Sequence, residues 1–429
     1  MSGKQLSLFE QQPEDSGDFF TRKRSWSASK HRIMLKYIQS FCYNLGGDQP
    51  YQSKYLNYVD GFAGTGKYDQ GIGIENFVGN SNFLKKYSND FSDTDGSPII
   101  ALKWAKIFSQ ENRVNLRCFF NEANKKVNEK LKINCQSLIN ELFCKIYEPK
   151  KFALCLPELM NDLENYPTLF FLDTFGVKGV TFEQICLIAN YVSQYKGELF
   201  LLFHNIQVAR HAGQSTARSE DPQKLKAAQT YTQNLTALLG PNSELDWKPK
   251  WLELNNLPQH FERWALEYFK SRLLKESSFR GVGSFKIRED YNDRRPQYSL
   301  VVCSNKPEKA FGEFLNEFFW EEDKLLYFKD NQSKTAQEFL EREWNHETNE
   351  RIIKVKPIII NLLREHLINW MPVNEVITLL ILKMGDLGYL KRTQYREILL
   401  KIHQEGILEA RNLGTKGKVI LESQIRIVK

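Results

Sequence analysis

Residues 58–68 read YVDGFAGTGKY. An apolar run ends in Asp60, glycines follow at 61, 64 and 66, and a lysine stands at 67. Gly61, four residues, then Gly66-Lys67 approaches a phosphate-cradling NTPase loop. That loop needs a Ser or Thr hydroxyl after the lysine to hold magnesium. Here the residue is Tyr68, and the turn formers Asp69, Gly71 and Gly73 interrupt the helix that should start there. Asp60, at a strand tip, would also repel phosphates. A cofactor with a cationic centre and no phosphates suits the loop better. S-adenosylmethionine carries an ammonium, a sulfonium and an adenosine. Asp60 is expected to hold the ammonium, with the backbone of Gly61, Phe62, Ala63, Gly64, Thr65 and Gly66 against its carboxylate and sugar. An NTPase and a plain glycine turn are the competing interpretations.

Two further strand ends carry candidate chemistry. Phe119-Phe120-Asn121-Glu122 places a carboxylate where ribose hydroxyls are bonded in nucleotide-binding sheets. Glu122 stands well beyond the usual spacing of about 20 residues, which requires an insertion around 70–95. Otherwise Glu122 is a carboxylate favoured at a helix start. Leu169-Phe-Phe-Leu-Asp-Thr-Phe-Gly176 ends a buried strand in Asp173, followed by Phe175. In amino-methyltransferases a carboxylate or amide at this place accepts the target amine's hydrogens and an aromatic stacks on a flipped base. Asp173 and Phe175 are the catalytic candidates, although Thr174 stands where proline is usual. A strand-end turn accounts for them equally well. His204-Asn205, at a fourth strand tip, could line the same cleft.

The elements that must position these residues follow from the pattern. A helix is expected over Ser29–Leu45. Apolar runs at Tyr55–Val59, Leu116–Phe120, Leu169–Leu172 and Leu199–Phe203 read as strands. They are separated by helical patterns at Ile99–Phe108, Lys125–Leu131 and Phe182–Tyr195. This alternation predicts an α/β fold with a mostly parallel sheet, its ligands at the strand C-ends. Gly283–Arg288 and Tyr298–Cys303 read as an antiparallel hairpin at the sheet edge. Helical patterns flank them at Phe261–Leu274 and Glu308–Phe319.

The 429-residue chain carries a net charge of +7. Residues 351–429 contain 14 Lys and Arg against 7 Asp and Glu, so the rest is balanced. This tail reads as helices Pro357–Trp370, Asn374–Lys383 and Thr393–Gln404, then strands Ile407–Ala410 and Lys418–Glu422, the order of a winged helix-turn-helix. Lys391, Arg392, Gln394 and Arg396 at the third helix, with Arg411, Lys416 and Lys418 in the wing, are the candidate nucleic-acid contacts. A protein-binding winged helix is the alternative. The expected division is a disordered arm over 1–24, a catalytic-type domain over 25–330, a linker over 331–350 and the winged helix over 351–429.

In the arm, Gln5, Leu6, Leu8 and Phe9 (QLSLF) look like the short peptide that bacterial proteins insert into the sliding clamp. The seven cysteines form no CxxC or zinc spacing, which suits a reducing cytosol and predicts no metal site. No run approaches membrane-spanning length and no signal peptide is evident, so the expected location is cytoplasmic and the expected partners include no membrane.

DGFAGTGKY, GSPIIAL at 96–102, FFNEANKK, FLDTFG and Arg210, with SASKHRIMLKYI before them and YSLVVCSNKPEKA after, resemble the three-Cys-motif partner proteins over roughly residues 25–320. The resemblance implies a Rossmann-like class I S-adenosylmethionine-dependent methyltransferase fold and often a C-terminal winged helix. It also implies a partner that looks like a radical S-adenosylmethionine enzyme, in mobile-element or phage-defence gene settings. It adds Ser97 as a cofactor contact and Lys30 as a residue closing over cofactor or substrate. Thr174 departs from the family's Asp-Pro-Phe-Gly, which puts target-amine chemistry in doubt. A methyltransferase acting on nucleic acid or a nucleic-acid-bound partner is therefore set against a catalytically silent adaptor of the same fold.

Overall fold

The β-branched and aromatic run YLNYVD forms β1 (Tyr55–Asp60), buried from its second residue onward. The computed structural model describes residues 20–46, 55–73, 86–87, 89–111, 114–140, 142–216, 220–254, 257–293, 295–331, 337–414 and 422–428. QLSLF, Lys416 and Lys418 lie outside them. Before β1 comes α1 (Ser25–Gly46). After it the chain alternates through α2 (Ser97–Gln110), β2 (Asn115–Phe120), α3 (Lys125–Ile139), β3 (Cys144–Ile146), α4 (Phe152–Asp162), β4 (Thr168–Leu172), α5 (Phe182–Tyr195) and β5 (Gly197–His204). Local chemistry sets several helix starts. Pro98 opens α2, Asn124 caps α3, and Thr181 and Gln184 form a reciprocal capping box on α5.

Four more helices follow β5: α6 (Asn205–Ser215), α7 (Pro222–Leu239), α8 (Glu244–Glu253) and α9 (Pro258–Glu276). They lead into the hairpin β6 (Gly281–Ile287) and β7 (Tyr298–Ser304). The seven-stranded sheet has the order β3-β2-β1-β4-β5-β7-β6. Strands β1 to β5 pair in parallel, while β7 is antiparallel to β5 and β6. The expected edge hairpin is thus present. Side chains alternate faces, as the pleat requires. Tyr58, Phe120 and Phe171 join a core with α1 and α2, whereas Val59, Phe119 and Phe170 join another with α4, α5 and α9.

The chain continues through a short turn (Pro307–Lys309) and a π-helical stretch (Ala310–Leu315) into α10 (Asn316–Asn331). The tail then forms α11 (Gln337–His366), β8 (Met371–Pro372), α12 (Val373–Met384), α13 (Arg392–Gln404), β9 (Leu408–Arg411) and β10 (Gln424–Ile427). Its three-stranded sheet has the order β8-β10-β9. Three helices with this small sheet are a winged-helix arrangement, as expected.

Several details differ from the pattern. The second wing strand is Gln424–Ile427, later than the expected Lys418–Glu422. Pro357 does not begin a helix but lies on the exposed side of α11, a 30-residue helix that starts at Gln337. Residues 337–350, which read as a linker helix or hinge, form its first turns. Leu340 and Trp344 on this part bury against Trp320 and Phe328 of α10. The winged helix is also docked on the sheet. Ser284 of β6 donates its N–H to Gly385 O at 3.0 Å and accepts from Leu387 N at 2.9 Å, covering backbone groups of an edge strand. Phe285 stacks on Phe319 with ring centres 4.6 Å apart. Buried Asn316 donates to Leu390 O at 2.7 Å and accepts from Gly388 N at 3.0 Å.

Candidate functional site

The parallel register puts Asp60 beside Phe120 and Phe171, so the C-ends of β1, β2 and β4 lie on one edge of the sheet. From β1 the chain winds one way through β2 and β3, then crosses back to β4 and β5 on the other side of β1, so the strand order reverses there; at such a switch point open α/β sheets bind ligands. Asp60 is fully buried. Its carboxylate accepts from Ser97 Oγ at 2.6 Å and from Phe62 N at 3.2 Å. Burial pushes its pKa up to about 7, opposed by the Ser97 and Phe62 hydrogen bonds; the carboxylates of Asp173 and Glu122 push in the same direction as burial.

Glu122 follows β2 and reaches the same loop. One oxygen accepts from Gly64 N at 3.0 Å and the other from Asn124 N at 2.8 Å. Desolvation raises its pKa. Asn121 ties the strands together, donating from Nδ2 to Gly61 O and accepting Ala63 N at its own carbonyl. Thr65 Oγ1 donates to Lys67 O at 2.6 Å, and Asn134 Nδ2 of α3 donates to Thr65 O at 2.8 Å. Gly64 and Gly66 adopt left-handed φ of 60° and 73°, which glycine accepts without strain.

The space beside the glycines is occupied by the chain itself, unlike the expected open cradle. A side chain at Gly61 would meet Leu172 and Phe152, and one at Gly66 would meet Leu131. At Gly64 it would meet the ring of Phe20 at 2.6 Å. Phe20 belongs to a segment that sequence patterning assigned to the arm. Its carbonyl accepts Asp69 N, Thr21 O accepts Gln70 N, and Lys23 N donates to Gln70 O. No pattern of period or spacing signals this pairing. Tyr68, the residue that departs from an NTPase loop, is buried with its ring 6.1 Å from Phe20 and 5.9 Å from His31.

Asp173 and Phe175 stand at the end of β4 as expected. Asp173 is paired with Lys30 of α1 at 2.5 Å, the pair being 23% and 5% exposed. Phe175 is 56% exposed. His204 Nε2 donates to Thr174 O at 2.5 Å. Burial lowers its pKa to about 4, so the ring is neutral at pH 7. Tyr298 stands over both, 4.8 Å from the His204 ring and 6.0 Å from the Lys30 ammonium. Asn205 turns instead to Ser299 and Pro296 O. Arg210 lies in α6. Asp60, Ser97, Glu122, Asp173 and Lys30 are therefore gathered at one sheet edge.

No family model matches this sequence, and no curated protein does. Among solved structures, protein LPL1258 from Legionella pneumophila is similar at 12% identity and a TM-score of 0.38, covering 72% of this chain and 92% of that one. PKMT2 from Rickettsia typhi is similar at 10% identity and a TM-score of 0.25, covering 66% of this chain and 54% of that one. Both likenesses are too remote to speak for activity. The strand order decides the architecture. The fold is that of the class I methyltransferases, with a winged helix appended. Among the described residues no helix is long and apolar enough to cross a membrane, and no group of His, Cys, Asp and Glu could hold a metal ion.

The tail's candidate contacts are divided by the docking. Lys391 lies over Trp320 with its ammonium 4.0 Å from the ring centre. Arg392 donates from its backbone to Glu317 at 2.8 Å and from Nη1 to Gly312 O at 2.5 Å, and its other nitrogen bonds Asn374. Both are drawn into the junction with α10, because the third helix begins there. Gln394 accepts Lys391 N at 2.7 Å as a cap. Arg396 is half-buried, while Thr393 is exposed. On the wing side, the guanidinium carbons of Arg411 and Arg426 lie 4.4 and 4.7 Å from the Trp370 ring centre, and Arg426 also pairs with Glu409 at 2.7 Å.

Proposed function

We propose that the chain is a three-Cys-motif partner protein that binds S-adenosylmethionine at the β1 edge and transfers its methyl group to nucleic acid or to a nucleic-acid-bound partner. One observation carries this reading. Asp60 is a buried carboxylate on which the charges of Asp173 and Glu122 act with its own sign. A buried carboxylate held this way favours a cationic ligand and disfavours a triphosphate. With Phe20 withdrawn from Gly64, Asp60 would hold the cofactor's ammonium and Glu122 the ribose hydroxyls, with Ser97 orienting Asp60. When bound, the cofactor supplies an electrophilic methyl group. Asp173 then accepts the hydrogens of the target amine, which must first displace the Lys30 ammonium. Exposed Phe175 offers a stacking face. Thermal shifts with S-adenosylmethionine, its demethylated product and ATP side by side test the reading. Stabilisation by ATP alone would overturn it.

The Lys30–Asp173 pair also favours a second reading. A carboxylate already neutralised at 2.5 Å, next to Thr174 in place of proline, suits a silent adaptor that serves a radical S-adenosylmethionine-like partner. Labelled methyl transfer to DNA, RNA or the co-purified partner separates the two. We further propose that the tail contacts a polyanion, that Gln5, Leu6, Leu8 and Phe9 engage the sliding clamp as such peptides of bacterial replication and repair proteins do, and that the chain serves a mobile-element or phage-defence system, as the family resemblance implies. A Phe9→Ala peptide that binds the clamp as tightly as the native one would remove that last partner.

A further inference from the structure

The glycine turn after β1 is covered by a strap of the chain itself, residues 20–24, which runs beside residues 68–70 and leads into α1. Phe20 O accepts Asp69 N at 3.1 Å, Thr21 O accepts Gln70 N at 2.9 Å, and Lys23 N donates to Gln70 O at 2.9 Å. Tyr68 N in turn donates to Thr94 O at 2.9 Å, so the loop is held from both sides. Buried Lys23 fastens one end of the strap, its ammonium donating to Asp95 O at 2.7 Å and lying 5.5 Å from the Tyr68 ring centre. At the other end the Phe20 ring rests on Gly64. Two of its ring carbons stand 2.6 and 2.8 Å from where a Gly64 side chain would begin. Its ring centre is 6.1 Å from that of Tyr68. Tyr68, in the place of an NTPase hydroxyl, is thus the pad against which both ends of the strap lie.

A glycine at such a turn lets a ligand approach the backbone closely. Here the Phe20 ring takes that approach. Gly64 is also the residue whose N–H is held by Glu122, the carboxylate assigned to the ribose. A ring and a sugar therefore compete for one glycine. The strap can leave without unfolding the rest. Thr21, Arg22 and Arg24 are exposed and Phe20 is half-buried, and segments with few buried contacts open at low cost. α1 stays behind, because Ile33, Met34 and Leu35 are buried. Arg32 and Lys36 also pair with Glu322 and Glu321 of α10, each at 2.8 Å. We propose that residues 20–24 are an autoinhibitory strap, which competes with the cofactor for Gly64 and withdraws when the cofactor binds. The inference rests on the cofactor reading given above and assigns that site its regulation.

The test titrates S-adenosylhomocysteine into the full chain by calorimetry. Phe20→Ala should bind it about tenfold more tightly than the wild type, the factor expected when the strap leaves about one molecule in ten competent. Phe20→Leu, which keeps an apolar plug, should fall between them. A second measurement needs no variant. In the wild type, saturating S-adenosylhomocysteine should speed amide exchange at Asp69 and Gln70 and tryptic cleavage after Arg22 and Arg24. A ligand seated beneath a closed strap would slow both. Equal or weaker binding by Phe20→Ala, with the wild type binding, overturns the strap and leaves the cofactor reading standing. Slower exchange at Asp69 and Gln70 in the liganded wild type does the same. Binding by neither protein removes the cofactor reading and this inference with it.

Discussion

Replacing Asp60 with Asn should stabilise the ligand-free protein while removing its affinity for S-adenosylmethionine. The carboxyl titrates at 3.8 in an unfolded chain and is pushed up to about 7 in the fold, mainly by complete burial. Between those values the folded protein holds a proton that the unfolded chain has lost. The contribution of the protonated group is therefore fully present below about pH 4. It declines by about 1.4 kcal/mol per pH unit and is gone above about pH 7. Three units amount to about 4 kcal/mol. Asn stays neutral and can keep both partners, accepting from Phe62 N and donating to Ser97 Oγ. The stability difference between variant and wild type should thus be near zero at pH 4 and grow to about 4 kcal/mol at pH 8. Melting curves of both proteins across pH 4.5–8.5 measure it. Two parallel profiles would refute the placement of a buried ionisable carboxyl at this strand tip. The cofactor's ammonium should reverse the ranking, because it stabilises the ionised form that the empty fold penalises. At pH 8 S-adenosylmethionine should raise the melting temperature of the wild type and not of the variant. Below pH 7 its binding should release a proton, visible as a buffer-dependent enthalpy in calorimetry.

Asp173→Asn should abolish methyl transfer while leaving the cofactor dissociation constant within about twofold, since Asp173 bonds Lys30 and not the loop; a matched loss of cofactor binding would merge the two roles. Asn316→Ala strands the carbonyl of Leu390 and the N–H of Gly388 and should cost about 2–4 kcal/mol. Faster proteolytic release of the winged helix at unchanged cofactor affinity checks it. Arg411→Ala should weaken DNA or RNA retention and reduce its salt slope by about one, whereas Lys391→Ala should lower the stability of the junction with Trp320 and leave the salt slope alone. Filter binding between 50 and 200 mM salt separates them.

The sheet was legible because burial on both faces writes strands as short apolar runs, and each candidate carboxylate terminates one of them. Asp60, Glu122 and Asp173 end three such runs, and the parallel crossover rule brings such ends together without reference to their distance in sequence. β3 was illegible for the converse reason. CKI is three half-buried residues at a sheet edge, too short to show a period. Helix α4 was missed because Pro157 interrupts its pattern. Phe20 over Gly64 is a long-range contact between two irregular segments, and neither composition nor spacing encodes it. Trp344 and Leu340, set among charged residues in a stretch that reads as a linker, are buried by α10, a partner that patterning within the stretch cannot reveal.

The docked winged helix changes what the tail's charge can do. A helix-turn-helix reads a major groove with the first residues of its third helix. In this chain the first two of them, Lys391 and Arg392, are drawn into the junction. Arg392 spends its guanidinium on Gly312 and Asn374, and Lys391 lies on Trp320. Groove entry in this orientation would require breaking a junction built from Asn316, the Phe285–Phe319 stack and the backbone bonds between Ser284 and residues 385–387. Each of these is buried, and losing such a set costs more than the few lysine and arginine contacts to phosphate regain at physiological salt. Cations that remain outward on the wing side include Arg411 and Arg426, which both lie over Trp370, Arg426 being also paired with Glu409. A polyanion meeting the tail as it stands is therefore held by the wing face, with backbone contacts and an aromatic surface and without a helix in the groove. Such binding carries little base specificity. Competition between sequences should accordingly leave affinity nearly unchanged while salt abolishes it. A strong sequence preference would mean that the junction opens.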